Sequence, residues 1–180
     1  MILSIDTSTG QCAVALVDGP REWSLAEAMD RGHAERLFPM IEEVLAEAGA
    51  DFNDLTRVAV CTGPGSFTGL RVGVAAARGL ALGCGIPAIG ITRFEACATP
   101  ETARIALPGR GGQIYVQDFT DGSPSGGPRI EAGEAEDRLP DPVFIARLAE
   151  GRPAGARPAP LYLRGADADP PRDTPPVMLD

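Results

Sequence analysis

The opening of the chain reads as three short strands. Residues 2–6 and 11–17 are apolar runs joined by a polar turn, and a weaker run follows at residues 22–28. Runs of this length, separated by Asp, Gly and Pro, predict an antiparallel meander of three strands.

A longer amphipathic stretch follows at residues 34–48. Its apolar positions recur every three or four residues, while glutamates occupy the other side. The apolar set is Leu37, Phe38, Ile41, Val44, Leu45 and Ala48. This spacing predicts a helix, with Pro39 near its first turn or at a kink.

Alternating strand and helix patterns complete this part of the chain. Residues 58–61 are a buried type of strand, a Gly-Pro-Gly turn opens a helix over 67–82, and a strand follows at 88–91. The order βββαβαβ favours an α/β fold, one half of an actin-like (ASKHA, ribonuclease H-like) protein.

The pattern begins again, more weakly, after Pro100. Strands are predicted at 103–107 and 113–119 and a short helix at 142–150, whereas residues 121–142 are rich in Gly, Pro, Ser and acids. We therefore expect two βββαβα-type halves, the second of them reduced.

The expected boundaries follow from these patterns. They are residues 1–99 for the first half, 100–166 for the smaller second half and 167–180 for a mobile tail. The tail has too little apolar surface to order itself.

Composition narrows the possible functions. The net charge is −9 and all 16 basic residues are Arg; an acidic protein is poorly suited to gripping a phosphate backbone alone. The four cysteines are scattered without a C-x-x-C pair, which favours reduced thiols over disulfides or zinc. With no leader or membrane span in the pattern, we expect a soluble, cytoplasmic protein.

The turn between the first two strands is a candidate phosphate loop. Asp6, Thr7 and Ser8 combine a carboxylate, hydroxyl groups and backbone N–H groups, which suit an anion or a metal-bound phosphate. The same residue types are common in any tight hairpin. An ATP-binding phosphotransferase or ATPase is therefore one hypothesis.

Residues 63–73, GPGSFTGLRVG, are the strongest local signal. Gly69, Gly73, Ala77 and Ala81 are four apart, so they line one face of the predicted helix. Since glycine costs about 1 kcal/mol in a helix relative to alanine, this face implies a close approach. The approaching element is either a partner helix or another part of the same chain.

His33, just ahead of the first predicted helix, is the single histidine. A role at the helix start or as a hydrogen-bonding group is favoured over catalysis, because no nucleophile with an orienting acid can be paired with it. A zinc protease needs an arrangement such as H-E-x-x-H, which one histidine cannot provide.

Three segments resemble one family. They are ILSIDTSTGQCAVAL, HAERLFPMIEEVL and TGPGSFTGLRVGVAAARGLALGCGIPAIGI, and together they are similar to the TsaB (YeaZ) proteins, paralogues of the catalytic TsaD proteins in the glycoprotease-like family. The resemblance covers residues 1–97. It implies a non-catalytic scaffold in the complex that makes N6-threonylcarbamoyladenosine on tRNA.

The resemblance also implies how this chain differs from TsaD. TsaD proteins carry a V-H-H-M-E-G-H segment that binds the catalytic metal; aligning Glu95 with its Glu places Arg93 and Cys97 at the two ligand positions. A guanidinium cannot coordinate a cation, so we expect no metal, no cofactor and no catalytic residue. In the second half, Arg110 and Tyr115 match the family's D-A-R-x-x-E-V-Y segment.

By resemblance, the partners are TsaD in a heterodimer and TsaE in a ternary complex. A homodimer is expected when the chain is alone, with tRNA bound only through the complex and no membrane contact. The expected interface consists of Leu37, Ile41, Val44, Leu45, Gly69, Gly73, Val74 and Ala77. Replacement of Gly73 by Leu is then expected to abolish association and leave the fold intact.

Overall fold

The first half is built on a five-stranded sheet. A computed structural model describes residues 1–163, and its first five strands pair in the order β3-β2-β1-β4-β5. They are β1 (Ile2–Asp6), β2 (Gln11–Asp18), β3 (Arg21–Ala28), β4 (Arg57–Cys61) and β5 (Ala88–Ile91). Strands β1 to β3 are antiparallel neighbours, while β4 and β5 continue the sheet in parallel with β1. The predicted meander and parallel extension are confirmed.

Two long helices cover one face of this sheet. They are α1 (His33–Ala48) and α2 (Phe67–Cys84), and each ends at a glycine with a left-handed backbone, Gly49 and Gly85. A 3-10 turn, Phe52–Asp54, connects α1 to β4. Pro39 lies inside α1.

The main core fills the space between these helices and the sheet. Alternate residues of the central strands, such as Leu3 and Ile5, point to this side and pack with one apolar face of each helix. The helix residues in this core include Leu37, Met40, Ile41, Val44, Leu45, Val74, Ala77 and Ala81. Burying side chains of this size stabilises a fold by about 1.5–3 kcal/mol each.

A fourth helix covers the opposite face. Helix α4 (Pro142–Glu150) has Asp141 as its N-cap and places Ile145, Ala146 and Ala149 against strands of the first sheet. The Ser4 hydroxyl donates to the carbonyl of Pro142 across 2.5 Å. This helix falls within the range that the sequence assigns to the second half, yet it packs on the first sheet, because that face would otherwise expose its apolar residues to water.

The second sheet is small and antiparallel, in the order β6-β7-β8. Its strands are β6 (Arg104–Pro108), β7 (Gln113–Thr120) and β8 (Ser123–Ala132). A short helix, α3 (Arg93–Ala96), brings Phe94 into a core with Ile105, Leu107 and Phe119. The fold is α/β and actin-like, as predicted, with a reduced second half.

Strand β8 was missed in the sequence because it is largely exposed. An exposed edge strand needs no apolar alternation, and Gly126 and Gly127 lie in its middle. The predicted tail, 167–180, lies outside the described residues. Within residues 1–163, no helix is both long and apolar enough to cross a bilayer.

Candidate functional site

The loop between β1 and β2 is closed by hydrogen bonds within the chain. Asp6, Thr7 and Ser8 are all at least 99% buried. One carboxylate oxygen of Asp6 accepts from the Ser8 N–H at 2.9 Å, and the other accepts from Gln11 Nε2 at 3.2 Å. Asp6 thus spends its acceptors on holding the loop.

Helix α2 holds the other two loop residues. The Thr7 hydroxyl donates to the Gly69 carbonyl at 2.7 Å, and the Ser66 N–H donates to the Ser8 carbonyl at 2.7 Å. The candidate phosphate loop is therefore a packing contact between the sheet and the start of α2 in this structure.

The glycines of the GPGSFTGLRVG motif make that contact possible. A Cβ at Gly65 would lie 2.0 Å from the Ser8 carbonyl oxygen, and one at Gly69 would lie 1.9 Å from that of Thr7. A Cβ at Gly73 would lie 2.5 Å from Thr7 Oγ1. Of the two interpretations of this face, the structure favours a close approach within the same chain.

The eight residues expected at the partner interface need correction. Leu37, Ile41, Val44, Leu45, Gly69, Gly73, Val74 and Ala77 are all buried in the chain's own fold. They face the sheet, so a partner cannot contact them without unfolding the core. The expectation that replacing Gly73 by Leu spares the fold is also wrong, because the side chain would collide with Thr7.

The outer faces of the same helices form an exposed groove instead. The α1–α2 groove is a cavity of about 730 Å³. It is lined by Ala34, Leu37, Phe38, Glu42, Phe52, Val72, Ala75, Ala76, Gly79, Leu80, Gly83 and Cys84. Phe38 is 44% exposed, which is unusual for a large apolar side chain.

A second small-residue stripe on α2 faces this groove. Ala75, Gly79 and Gly83 are four apart and exposed, and a Cβ at Gly79 or Gly83 would meet nothing within 4 Å. Sequence spacing alone shows both stripes, but only the position of the sheet tells which one is free for a partner.

Arg93 and Cys97 lie at the start and end of α3. The Arg93 guanidinium is buried and forms an ion pair with Asp137, and its Nε and Nη2 atoms donate to the Arg138 carbonyl at 3.1 and 2.7 Å. Burial raises the pKa of the Cys97 thiol, which disfavours the thiolate that binds metals. Among residues 1–163, no group of three or more His, Cys, Asp or Glu side chains could hold a metal ion.

The remaining candidates meet in a polar cleft between the two halves. His33 at the start of α1 lies there with Thr9, Arg110 and Tyr115 in a cavity of about 440 Å³. His33 is 9% exposed and sits at the helix start, as the sequence predicts.

Arg71 has a structural role that the sequence does not show. Its guanidinium lies 3.8 Å from the ring centroid of Phe67, and its Nε donates to the Tyr162 hydroxyl at 3.1 Å. The two rings lie 5.1 Å apart. These contacts fasten the segment near residue 162 to the start of α2.

Comparison with known proteins identifies the family. The model of the TsaD family, tRNA N6-adenosine threonylcarbamoyltransferase, matches residues 26–137, more than half of the chain. TsaB from Haemophilus influenzae is 43% identical over 97 residues, 54% of this chain and 41% of that protein. TsaB from Escherichia coli is 34% identical over 66% of this chain and 54% of its own length. The chain belongs to the TsaD family, in its TsaB (YeaZ) branch.

Other members of the TsaB branch match over more of the chain. An uncharacterised protein of Mycobacterium tuberculosis is 32% identical across 94% of both chains. The structure of YeaZ from Pseudomonas aeruginosa superposes with a TM-score of 0.76 at 25% identity, covering 90% of this chain and 99% of that one. The chain spans about half the length of the first curated TsaB relatives that it matches.

Proposed function

We propose that the chain is a non-catalytic scaffold subunit of the machinery that forms N6-threonylcarbamoyladenosine in tRNAs reading codons that begin with A. It binds and activates TsaD, and TsaE joins the pair in a ternary complex. The observation that carries the proposal is the exposed α1–α2 groove, in a chain whose relatives are named for this biosynthesis.

The groove has the chemistry of a protein contact. Its walls are mainly aliphatic or aromatic side chains and small residues, and contiguous apolar surface of this kind marks protein interfaces. Because Ala75, Gly79 and Gly83 leave the α2 backbone uncovered, a partner helix can approach it closely. We infer that a helix of TsaD packs here, or a second copy of this chain when TsaD is missing.

Two further observations support the non-catalytic part of the proposal. Both carboxylate oxygens of Asp6 are occupied by hydrogen bonds within the chain. Arg93 and Cys97 stand where the family resemblance places metal-binding histidines, and Arg93 is held by Asp137 and Arg138. The net charge of −9 further assigns the holding of tRNA to other subunits.

The test compares two alanine-to-arginine substitutions. Ala75→Arg places a charged side chain in the groove, whereas Ala46→Arg changes an exposed alanine on α1 outside it. We expect Ala75→Arg to weaken binding to TsaD at least about tenfold, a loss of about 1.4 kcal/mol, and Ala46→Arg to bind like the unaltered chain. Calorimetric titration with purified TsaD measures both.

Sedimentation of each variant alone tests the homodimer. Ala75→Arg should be monomeric at concentrations at which the Ala46→Arg control still dimerises. If Ala75→Arg binds TsaD with unchanged affinity and melts at the normal temperature, the groove is not the interface.

A further inference from the structure

The cleft between the two halves has a chemistry unlike that of the α1–α2 groove, with which it shares no lining residue. Its walls come from the β1–β2 turn, the starts of α1 and α2, helix α3 and the turn between β6 and β7. The lining residues used here are Thr9, Asp30, His33, Ser66, Arg93 and Arg110.

Two buried polar atoms of this cleft lack a hydrogen-bond partner among the described residues. They are Thr9 Oγ1 and His33 Nε2, in residues that are only 8% and 9% exposed. Leaving such a group unsatisfied costs about 1–3 kcal/mol, and buried polar groups nearly always have a partner. Both atoms can donate a hydrogen bond, so an acceptor in the cleft would satisfy them.

The backbone at the start of α1 points to the same kind of ligand. Helix α1 begins at His33, and its N-cap, Gly32, supplies no side-chain hydrogen bond to the first turn. The first N–H groups of a helix have no partner within the helix, and they carry the positive end of its dipole. A negatively charged acceptor is therefore favoured over a neutral one.

The charged side chains around the cleft nearly balance. Arg93 and Arg110 face Asp30 and Asp137, and Asp137 is already ion-paired with Arg93; Tyr115 adds a phenol. The helix starts add positive potential to this balance, and Asp30 opposes an anion. That opposition gives a direct way to test the site.

We propose that the cleft binds a small oxyanion of the phosphate type. Thr9 Oγ1 and His33 Nε2 donate to it, together with the first N–H groups of α1. The site is distinct from the loop at Asp6 and Thr7, whose polar atoms are used within the fold, and it requires no metal.

The experiment uses His33 as its own reporter. Because the chain has one histidine, its imidazole Cε1–H gives a single proton NMR resonance. Inorganic phosphate is titrated at constant pH and ionic strength, with chloride as the reference salt. We expect a saturable shift with phosphate and none with chloride.

Three substitutions make the assignment specific. Thr9→Val removes one donor and should raise the dissociation constant about tenfold, whereas Asp30→Asn removes the opposing charge and should lower it a few-fold. Thr120→Val, an exposed change on β7, is the matched control and should leave it unchanged. Asp30 is exposed, so its variant stays informative even if Thr9→Val folds poorly.

A second titration with ADP separates two sources of the anion. Tighter binding of ADP than of phosphate assigns the phosphoryl group of a nucleotide; equal or weaker binding assigns the free ion. A shift that never saturates with either ligand, or that saturates identically in Thr9→Val and Asp30→Asn, overturns the proposal.

Discussion

Glu95 shows how one carboxylate joins separate parts of this molecule. Its Oε2 accepts from the N–H and the hydroxyl of Thr92 at 2.8 and 2.7 Å, which caps α3. Its Oε1 accepts from Arg152 at 2.5 Å, in the segment after α4. Burial alone would raise the pKa of Glu95, but the hydrogen bonds from Arg152 and Thr92 outweigh it and lower that pKa below its ordinary value.

The lowered pKa predicts a pH-dependent contribution to stability. A carboxyl group with a depressed pKa in the folded state stabilises the fold above its unfolded pKa of about 4.3, and this stabilisation is lost as pH falls through the folded pKa. Glu95→Gln should therefore lower the free energy of unfolding by about 1–3 kcal/mol at pH 7. The deficit should shrink as the pH is lowered to 3.

Urea unfolding between pH 7 and pH 3 measures this difference. Glu101→Gln, at an exposed glutamate, removes the same charge and serves as the control, with little change expected at any pH. A deficit for Glu95→Gln that stays constant with pH would show that the carboxylate charge is not what stabilises the contact.

At the scale of the element, α2 has two small-residue faces with opposite demands. Gly69 lies against the Thr7 backbone, where a Cβ would be 1.9 Å from the carbonyl oxygen, whereas Gly79 is exposed and has open space around it. The same substitution should therefore have opposite effects at the two positions.

Gly69→Ala should destabilise the chain by about 1–3 kcal/mol or more, because the inserted methyl group forces the loop away. Gly79→Ala should stabilise it by about 0.5–1 kcal/mol, since alanine favours the helix and nothing obstructs it. Thermal unfolding of the two variants gives both signs in one experiment. Equal effects at the two positions would contradict the orientation of α2.

The elements could be predicted from sequence to very different degrees. The strands of the first sheet and helices α1 and α2 follow from apolar spacing, because each buries one well-defined face. Helix α3 spans only four residues and β8 is exposed, so neither carries a strong periodic signal. The site residues failed for another reason: both faces of α2 are rich in small residues, and only tertiary structure shows which one meets the sheet.

At the scale of the whole molecule, the cysteines report how unevenly the chain is protected. Cys12 and Cys61 are buried in different cores, while Cys84 and Cys97 are half-buried. Burial, with Asp6 and Glu27 adding to it, raises the pKa of Cys12 to about 11. Burial likewise raises the pKa of Cys61 well above its ordinary value.

Thiol labelling at pH 8 should follow this order, since the thiolate is the reactive form. We expect Ellman's reagent to modify Cys84 first and Cys97 more slowly, with Cys12 and Cys61 reacting only in urea. Mass spectrometry of the labelled peptides identifies each site. Rapid labelling of Cys12 in the native chain would show that the core between α1, α2 and the sheet opens readily.

The close contact between α2 and the β1–β2 turn has a consequence for how relatives diverge. Replacement at Gly65, Gly69 or Gly73 harms every member of the family that folds this way, whatever it binds, so these positions should stay glycine throughout. Ala75 and Gly79 answer only to what lies in the groove, and they should change together with the partner's sequence. The motif that marks the family therefore records inheritance of a fold, and the record of partnership is written one turn away on the same helix.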